Sequence, residues 1–200
     1  MTTSEKRSRP TLPRARKRLR ELGTPKDAEF LQRFFKSAPG QYGAGDKFLG
    51  IRMPTMRGLA REFHDLPLDE IVALLHDEWH EARQLAVILL SNRYAKASEA
   101  QRQKIFNLYV ANATRVNNWD LVDLSAGGIV GAHLATRKRG LLDKLARSKN
   151  LWERRIAIVS TLHFIRHDEL DDTLRIARIL MRDDQDLIHK AMGWMLRRGR

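Results

Sequence analysis

From Thr24 onward, apolar residues recur three and four positions apart, and strict alternation is nowhere convincing. A period near 3.6 predicts helix after helix, so the fold class is all-α. Thr24-Pro25 reads as an N-cap followed by proline at the first helical position, and Met53-Pro54 opens another helix. Leu66-Pro67 precedes a third. Ser98-Glu99-Ala100-Gln101 fits a capping box, with Ile105, Leu108 and Tyr109 following at helical spacing. Asp168 and Asp184 are expected to cap two later helices.

Four segments can be laid over one another: Trp79–Leu90, Trp119–Val130, Trp152–Leu162 and Asp186–Leu196. Each starts polar and turns strongly apolar, and three of them start at Trp. Shorter, more polar helices are expected between them, at Gln101–Val110, Leu141–Arg147 and Asp171–Met181. Helix pairs repeating every 30–40 residues point to a curved α-solenoid of HEAT-like pairs, one helix of each pair lining the inner wall. The chain is expected to be a monomer whose last segment exposes Met192, Met195 or Leu196, an end through which it could self-associate.

The 200 residues carry 37 Lys+Arg against 24 Asp+Glu, a formal charge of +13. Such an excess points to a polyanionic partner, nucleic acid before membrane surface. Eight of the basic residues fall in residues 1–22 with two acids, and Pro10 and Pro13 interrupt them. We expect residues 1–22 to be a flexible basic tail, with Arg14–Leu22 able to become helical on a partner, and residues 23–200 to form one domain. The absence of Cys excludes disulfides, thiolate metal sites and Cys nucleophiles. The longest apolar run, Leu85–Leu90, is far short of a membrane span. With no apolar stretch after the basic N-terminus, the expected location is cytoplasmic.

Equivalent positions in the four segments hold Arg83, Asp123, Arg155 and Lys190, separated by 40, 32 and 35 residues. A solenoid would set these in a line. Cations along an inner wall are a track for phosphates. The carboxylate among them is either an ordinary salt bridge to Arg83 or Arg155, or a functional group. Trp119 lies four residues before Asp123 and projects from the same helix face. Trp194, four after Lys190, offers a second aromatic wall. An indole face beside a carboxylate suits a cationic aromatic ligand. Core packing is the competing reading for both, and the retained one for Trp79 and Trp152.

At these residues the chain resembles the AlkD-like family of DNA alkylation repair proteins, HEAT-like-repeat DNA glycosylases. The resemblance rests on FLGIRMPTMRGLAREF (48–63), NNWDLVDLSAGGIVG (117–131), NLWERRIAIV (150–159) and HKAMGWMLR (189–197). It implies a monofunctional glycosylase that excises positively charged N3- and N7-alkylated purines from duplex DNA, with no metal or organic cofactor. It also implies that Asp123 is the catalytic carboxylate, Trp119 and Trp194 the site tryptophans, and Arg155 a backbone contact. Lys190, Arg83 and Arg52 would add phosphate contacts. Arg52 stands where such proteins carry Gln, and Phe34 is the nearest match to a family Tyr. The chain is also expected to be C-terminally shortened by about a helix pair.

Two other classes stay open: a non-enzymatic binder of DNA structure, and a protein scaffold whose charge serves solubility. Metal and nucleotide sites have little support. His76 and His80 lack a following Glu, and Asp183, Asp184 and Asp186 lack the Gly-x-Glu of a calcium loop. The Gly-rich segment 40–50 has no Ser or Thr after Lys47 and no strand before it, so it is not a phosphate loop.

Overall fold

The computed structural model describes residues 9–199. Helices α1 (Leu12–Leu22), α2 (Pro25–Phe34), α3 (Met53–Glu62), α4 (Leu68–Leu75) and α5 (His80–Lys96) come first. Then follow α6 (Glu99–Ala111), α7 (Trp119–Ala126), α8 (Ala132–Leu134), α9 (Gly140–Ala146) and α10 (Leu151–Ser160). The last are α11 (Leu162–Ile165), α12 (Asp171–Leu180) and α13 (Asp186–Arg198). No strand is present among the described residues, so the all-α expectation holds. The chain divides into two compact units, residues 1–89 and 90–200, with the division inside α5.

The first unit corrects the expectation for residues 1–22. Residues 1–8 lie outside the described part. Residues 12–22 are not a tail; they form α1, which packs on α4. Ala15 and Leu19 are buried. The Leu12 amide donates to Glu70, Arg14 pairs with Glu62 at 3.1 Å, and Arg16 Nε reaches Asp77 at 2.8 Å. Burying a Leu side chain such as that of Leu19 is worth about 1.5–3 kcal/mol. That and three ties to separate acids hold a strongly basic helix down without a partner.

Thr24 caps α2 as expected, accepting from the Asp27 amide. The Gly-rich segment does form an anion-cradling loop, but the anion is the protein's own. The amides of Leu49, Gly50 and Ile51 donate to the buried Glu81 carboxylate at 2.9, 2.8 and 3.2 Å. Gly50 sits at φ +85°, and a Cβ there would lie 2.2 Å from the Thr24 carbonyl. Only glycine fits.

In the second unit, α10 packs against both α7 and α13, while α9 and α12 pack on each other and behind α10 and α13. α6 backs α8 and the π-helical turn Gly127–Gly131 that joins α7 to α8. These are three stacked helix pairs, as the repeats predict. Gly131 permits the tightest crossing, since a Cβ would stand 2.2 Å from the Ser160 carbonyl. Gln101 accepts from the Ser98 amide at 3.1 Å, as the capping box requires.

Two cap expectations fail. Asp168 is left-handed at φ 61°, and α12 begins three residues later. Gln185, not Asp184, precedes α13. At the C-terminal pair, Met192 and Met195 are buried, and only Leu196 of the three expected residues is exposed, together with Leu174 of α12 and Met181 just after it.

Candidate functional site

The site begins with two asparagines. Asn118 caps α7 and accepts from the Trp119 amide at 2.8 Å; Asn150 caps α10 and accepts from Trp152 and Glu153. A cap fixes where a helix starts, and therefore which residue stands at each later position. Asp123 and Arg155 each stand five residues past their cap. Because α7 and α10 are neighbours, the two side chains meet. Arg155 Nε donates to Asp123 Oδ1 at 3.1 Å and Nη2 to Oδ2 at 2.9 Å. Its Nη1 donates to the Leu187 carbonyl of α13 at 2.7 Å. One guanidinium thus ties three successive repeat helices.

The two partners differ in exposure. The Arg155 side chain is 6% exposed and that of Asp123 is 22%. The guanidinium lies on the buried side and the carboxylate keeps an open edge. Each carboxylate oxygen has two lone-pair sites, and Arg155 uses one on each. Burial pushes the Asp123 carboxyl above its ordinary range; Arg155 opposes this by charge and hydrogen bonding, and Asp120 adds to it by like-charge repulsion. Asp123 is therefore an oriented carboxylate whose ionised form is costly to the fold.

Trp119 stands one turn before Asp123 and is partly exposed. Trp194, also partly exposed, lines a small cavity on α13 with Leu162, Ile165, Arg166 and Arg198. Lys190 stands five residues past Gln185, the position equivalent to Asp123 and Arg155, and its exposed side chain pairs with Asp186 one turn back.

Arg83 departs from the expected column. It stands four residues past Trp79, the residue before α5, and is equivalent to Arg154 rather than Arg155. Both arginines donate to the carbonyls five and six residues earlier: Arg83 to Glu78 and Asp77, Arg154 to Lys149 and Ser148. Both also clamp a carboxylate, Asp46 at 2.6 Å and Asp183 at 2.5 Å. Arg83 is 4% exposed, so it closes a loop and does not present a cation to solvent. Gln84 holds the equivalent position in α5. The error is one residue of register, since Arg83-Gln84-Leu85 and Arg154-Arg155-Ile156 offer the same apolar pattern to either alignment.

Arg52 precedes α3 in the first unit. It is exposed, pairs with Asp27 at 2.6 Å and lies over the Phe30 ring. The Trp readings divide: Trp152 is buried as expected for core, whereas Trp79 is partly exposed. The Arg154–Asp183 clamp and the Glu81 cradle were missed. The cap asparagines were available as signals, each one or two residues before a Trp in N-W-D and N-L-W. Among the described residues no group of three or more His, Asp or Glu is placed to hold a metal ion, and no helix is long and apolar enough to cross a membrane.

The sequence profile of the DNA alkylation repair enzymes matches residues 15–198. Among solved structures, a predicted DNA alkylation repair enzyme from Enterococcus faecalis is similar in fold. Its TM-score is 0.68, over 88% of this chain and 83% of its own, at 20% identity. No curated protein matches.

Proposed function

The chain belongs to the DNA alkylation repair enzyme family, and from that premise we propose that it hydrolyses the N-glycosidic bond of cationic N3- and N7-alkylated purines in duplex DNA. The observation that carries this reading is the Asp123 carboxylate: gripped from its buried side by Nε and Nη2 of Arg155, open at its other edge, with Trp119 one turn away.

The chemistry follows from where charge moves. An N3- or N7-alkylpurine already carries positive charge, so it leaves as a neutral base without a general acid. As the bond from C1′ to the base nitrogen lengthens, positive charge passes to the sugar. A fixed carboxylate beside C1′ stabilises that oxocarbenium-like state and orients the attacking water, which gives its oxygen to C1′ and its proton to solvent or to the carboxylate. One such preorganised contact is worth about 3–4 kcal/mol. Trp119 and Trp194 hold the cationic base through their π faces. Arg155 positions Asp123, while Lys190 and Arg52, both exposed, meet phosphates.

The deciding experiment is single-turnover release of 7-methylguanine from methylated duplex by the wild-type chain and by Asp123→Asn. Release by the former and a fall of about 10²–10³-fold in the latter is the expected result. Salt-sensitive binding with no base release would discard the hydrolase in favour of a non-enzymatic DNA binder. Equal rates would discard Asp123.

A further inference from the structure

The first unit holds a cavity of about 340 Å³, lined by Arg16, Leu19 and Arg20 of α1, by Leu49, and by Trp79 with the turn before it. None of these residues belongs to the Asp123 site. The hydrogen-bonding state of its wall decides what it can hold. Its acceptors are largely engaged. Asp77 accepts from Arg16 Nε through Oδ2 and from the Trp79 amide through Oδ1. The carbonyls of Asp77 and Glu78 accept from Arg83, and the Glu78 carboxylate pairs with Lys47 at 2.7 Å. Its donors are not. Among the described residues, neither the Arg20 guanidinium nor the Trp79 indole N–H has a partner, and Arg16 has only its Nε engaged.

Such a wall asks for an acceptor-rich, anionic ligand. Trp79 supplies an aromatic surface, and the backbone there is pinned by the Lys47–Trp79 bridge and by the amide of the next residue, His80, on the Lys47 carbonyl at 2.8 Å. With the backbone fixed, only the side-chain torsions of Trp79 remain to be ordered on binding. The volume lies at the small end of ligand sites, too small for a duplex and sufficient for one nucleotide unit. We propose that this cavity is a separate nucleotide-binding site, with a base stacked on Trp79 and its phosphate held by Arg20 and the outer nitrogens of Arg16. The chemistry recognised is a base carrying a 5′-phosphate, from either a free nucleotide or the end of a single strand.

The test is titration of the full chain with dAMP, followed by calorimetry and by the Trp79 indole N–H resonance, identified by its loss in Trp79→Phe. Saturable binding is expected, with the Trp79 resonance shifting. Arg20→Gln should weaken dAMP about tenfold while leaving the weaker binding of deoxyadenosine unchanged. Trp79→Leu should weaken both by about 5–150-fold, the range of base–aromatic stacking, whereas Trp79→Phe should retain most of the affinity and controls for misfolding. Asp123→Asn should bind dAMP as the wild type does, so this site and the hydrolase reading fail independently. Tetradeoxyadenylate with and without a 5′-phosphate separates the two sources: binding that needs the terminal phosphate assigns a strand end, and binding of dAMP alone assigns the free nucleotide. Absence of saturable dAMP binding, or equal affinity in Arg20→Gln and Trp79→Leu, overturns the proposal.

Discussion

Arg83 in the first unit and Arg155 in the second are near-neighbours in repeat position, and both are buried arginines gripping an aspartate. Their partners separate them. Asp46, held by Arg83, is 7% exposed and comes from a loop, with His80 Nδ1 3.4 Å from its other oxygen. Asp123, held by Arg155, is 22% exposed and rises from a helix with an indole one turn away. The Arg83 pair closes a loop; the Arg155 pair presents a carboxylate. An arginine–aspartate clamp becomes a usable site when the aspartate has somewhere to face.

The largest effect that tests this contrast is on stability. Arg83→Ala strands the buried Asp46 and should cost about 3–5 kcal/mol, the usual penalty for breaking a buried pair by removing one member. Base release per folded molecule should persist. Urea melts and single-turnover assays on one preparation check both; a loss below about 1 kcal/mol would remove the structural role assigned to Arg83.

Asp123→Asn should show the reverse. Burial disfavours the Asp123 charge, so a neutral isostere offsets part of the cost of leaving Arg155 without its carboxylate, and stability should fall by less than in Arg83→Ala. Excision should fall by about 10²–10³-fold. DNA affinity should stay equal or rise, because a negative charge has left a basic chain. Asp46→Asn should destabilise and leave excision intact. If the two asparagine variants behave alike, the contrast between the clamps is lost.

The pH profile refines it further. If excision uses the Asp123 carboxylate as proposed, it should fail as pH drops through a value above the ordinary aspartate value of about 3.9. Arg155→Gln removes the group that opposes the upward shift, so that limb should move higher still. Stability runs the other way. With the folded pKa above the unfolded one, this residue's contribution is full below the unfolded value and is lost as pH rises through the folded one. An acid limb that Arg155→Gln leaves in place would assign it to another group.

The smallest effect belongs to Lys190. Its side chain is exposed and paired only with Asp186 one turn away, so Lys190→Ala should leave stability unchanged. If it meets a phosphate, the slope of log K against log salt should become shallower by about 0.9. Damaged and undamaged duplex should weaken alike, since a phosphate contact reads no base. An unchanged slope would remove Lys190 from the interface.

Much of this was legible along the chain. The 3.6-residue period, the prolines at helix starts and the Thr24 cap settle the all-α class and where most helices begin, because those are local preferences of the backbone. The repeat spacing places Asp123 and Arg155 at one position, and equal distance from Asn118 and Asn150 brings them together. Other features depended on tertiary packing. Whether a basic helix such as Leu12–Leu22 stays down depends on Leu19 and on acids 48 to 61 residues away. Whether Arg83 faces solvent depends on Asp46, 37 residues distant. Periodicity reports which face of a helix is apolar; it does not report which carboxylate arrives from elsewhere to neutralise a cation on it. That pairing is set by chain segments meeting in space, and it separates the arginine that closes a loop from the one that holds a carboxylate open.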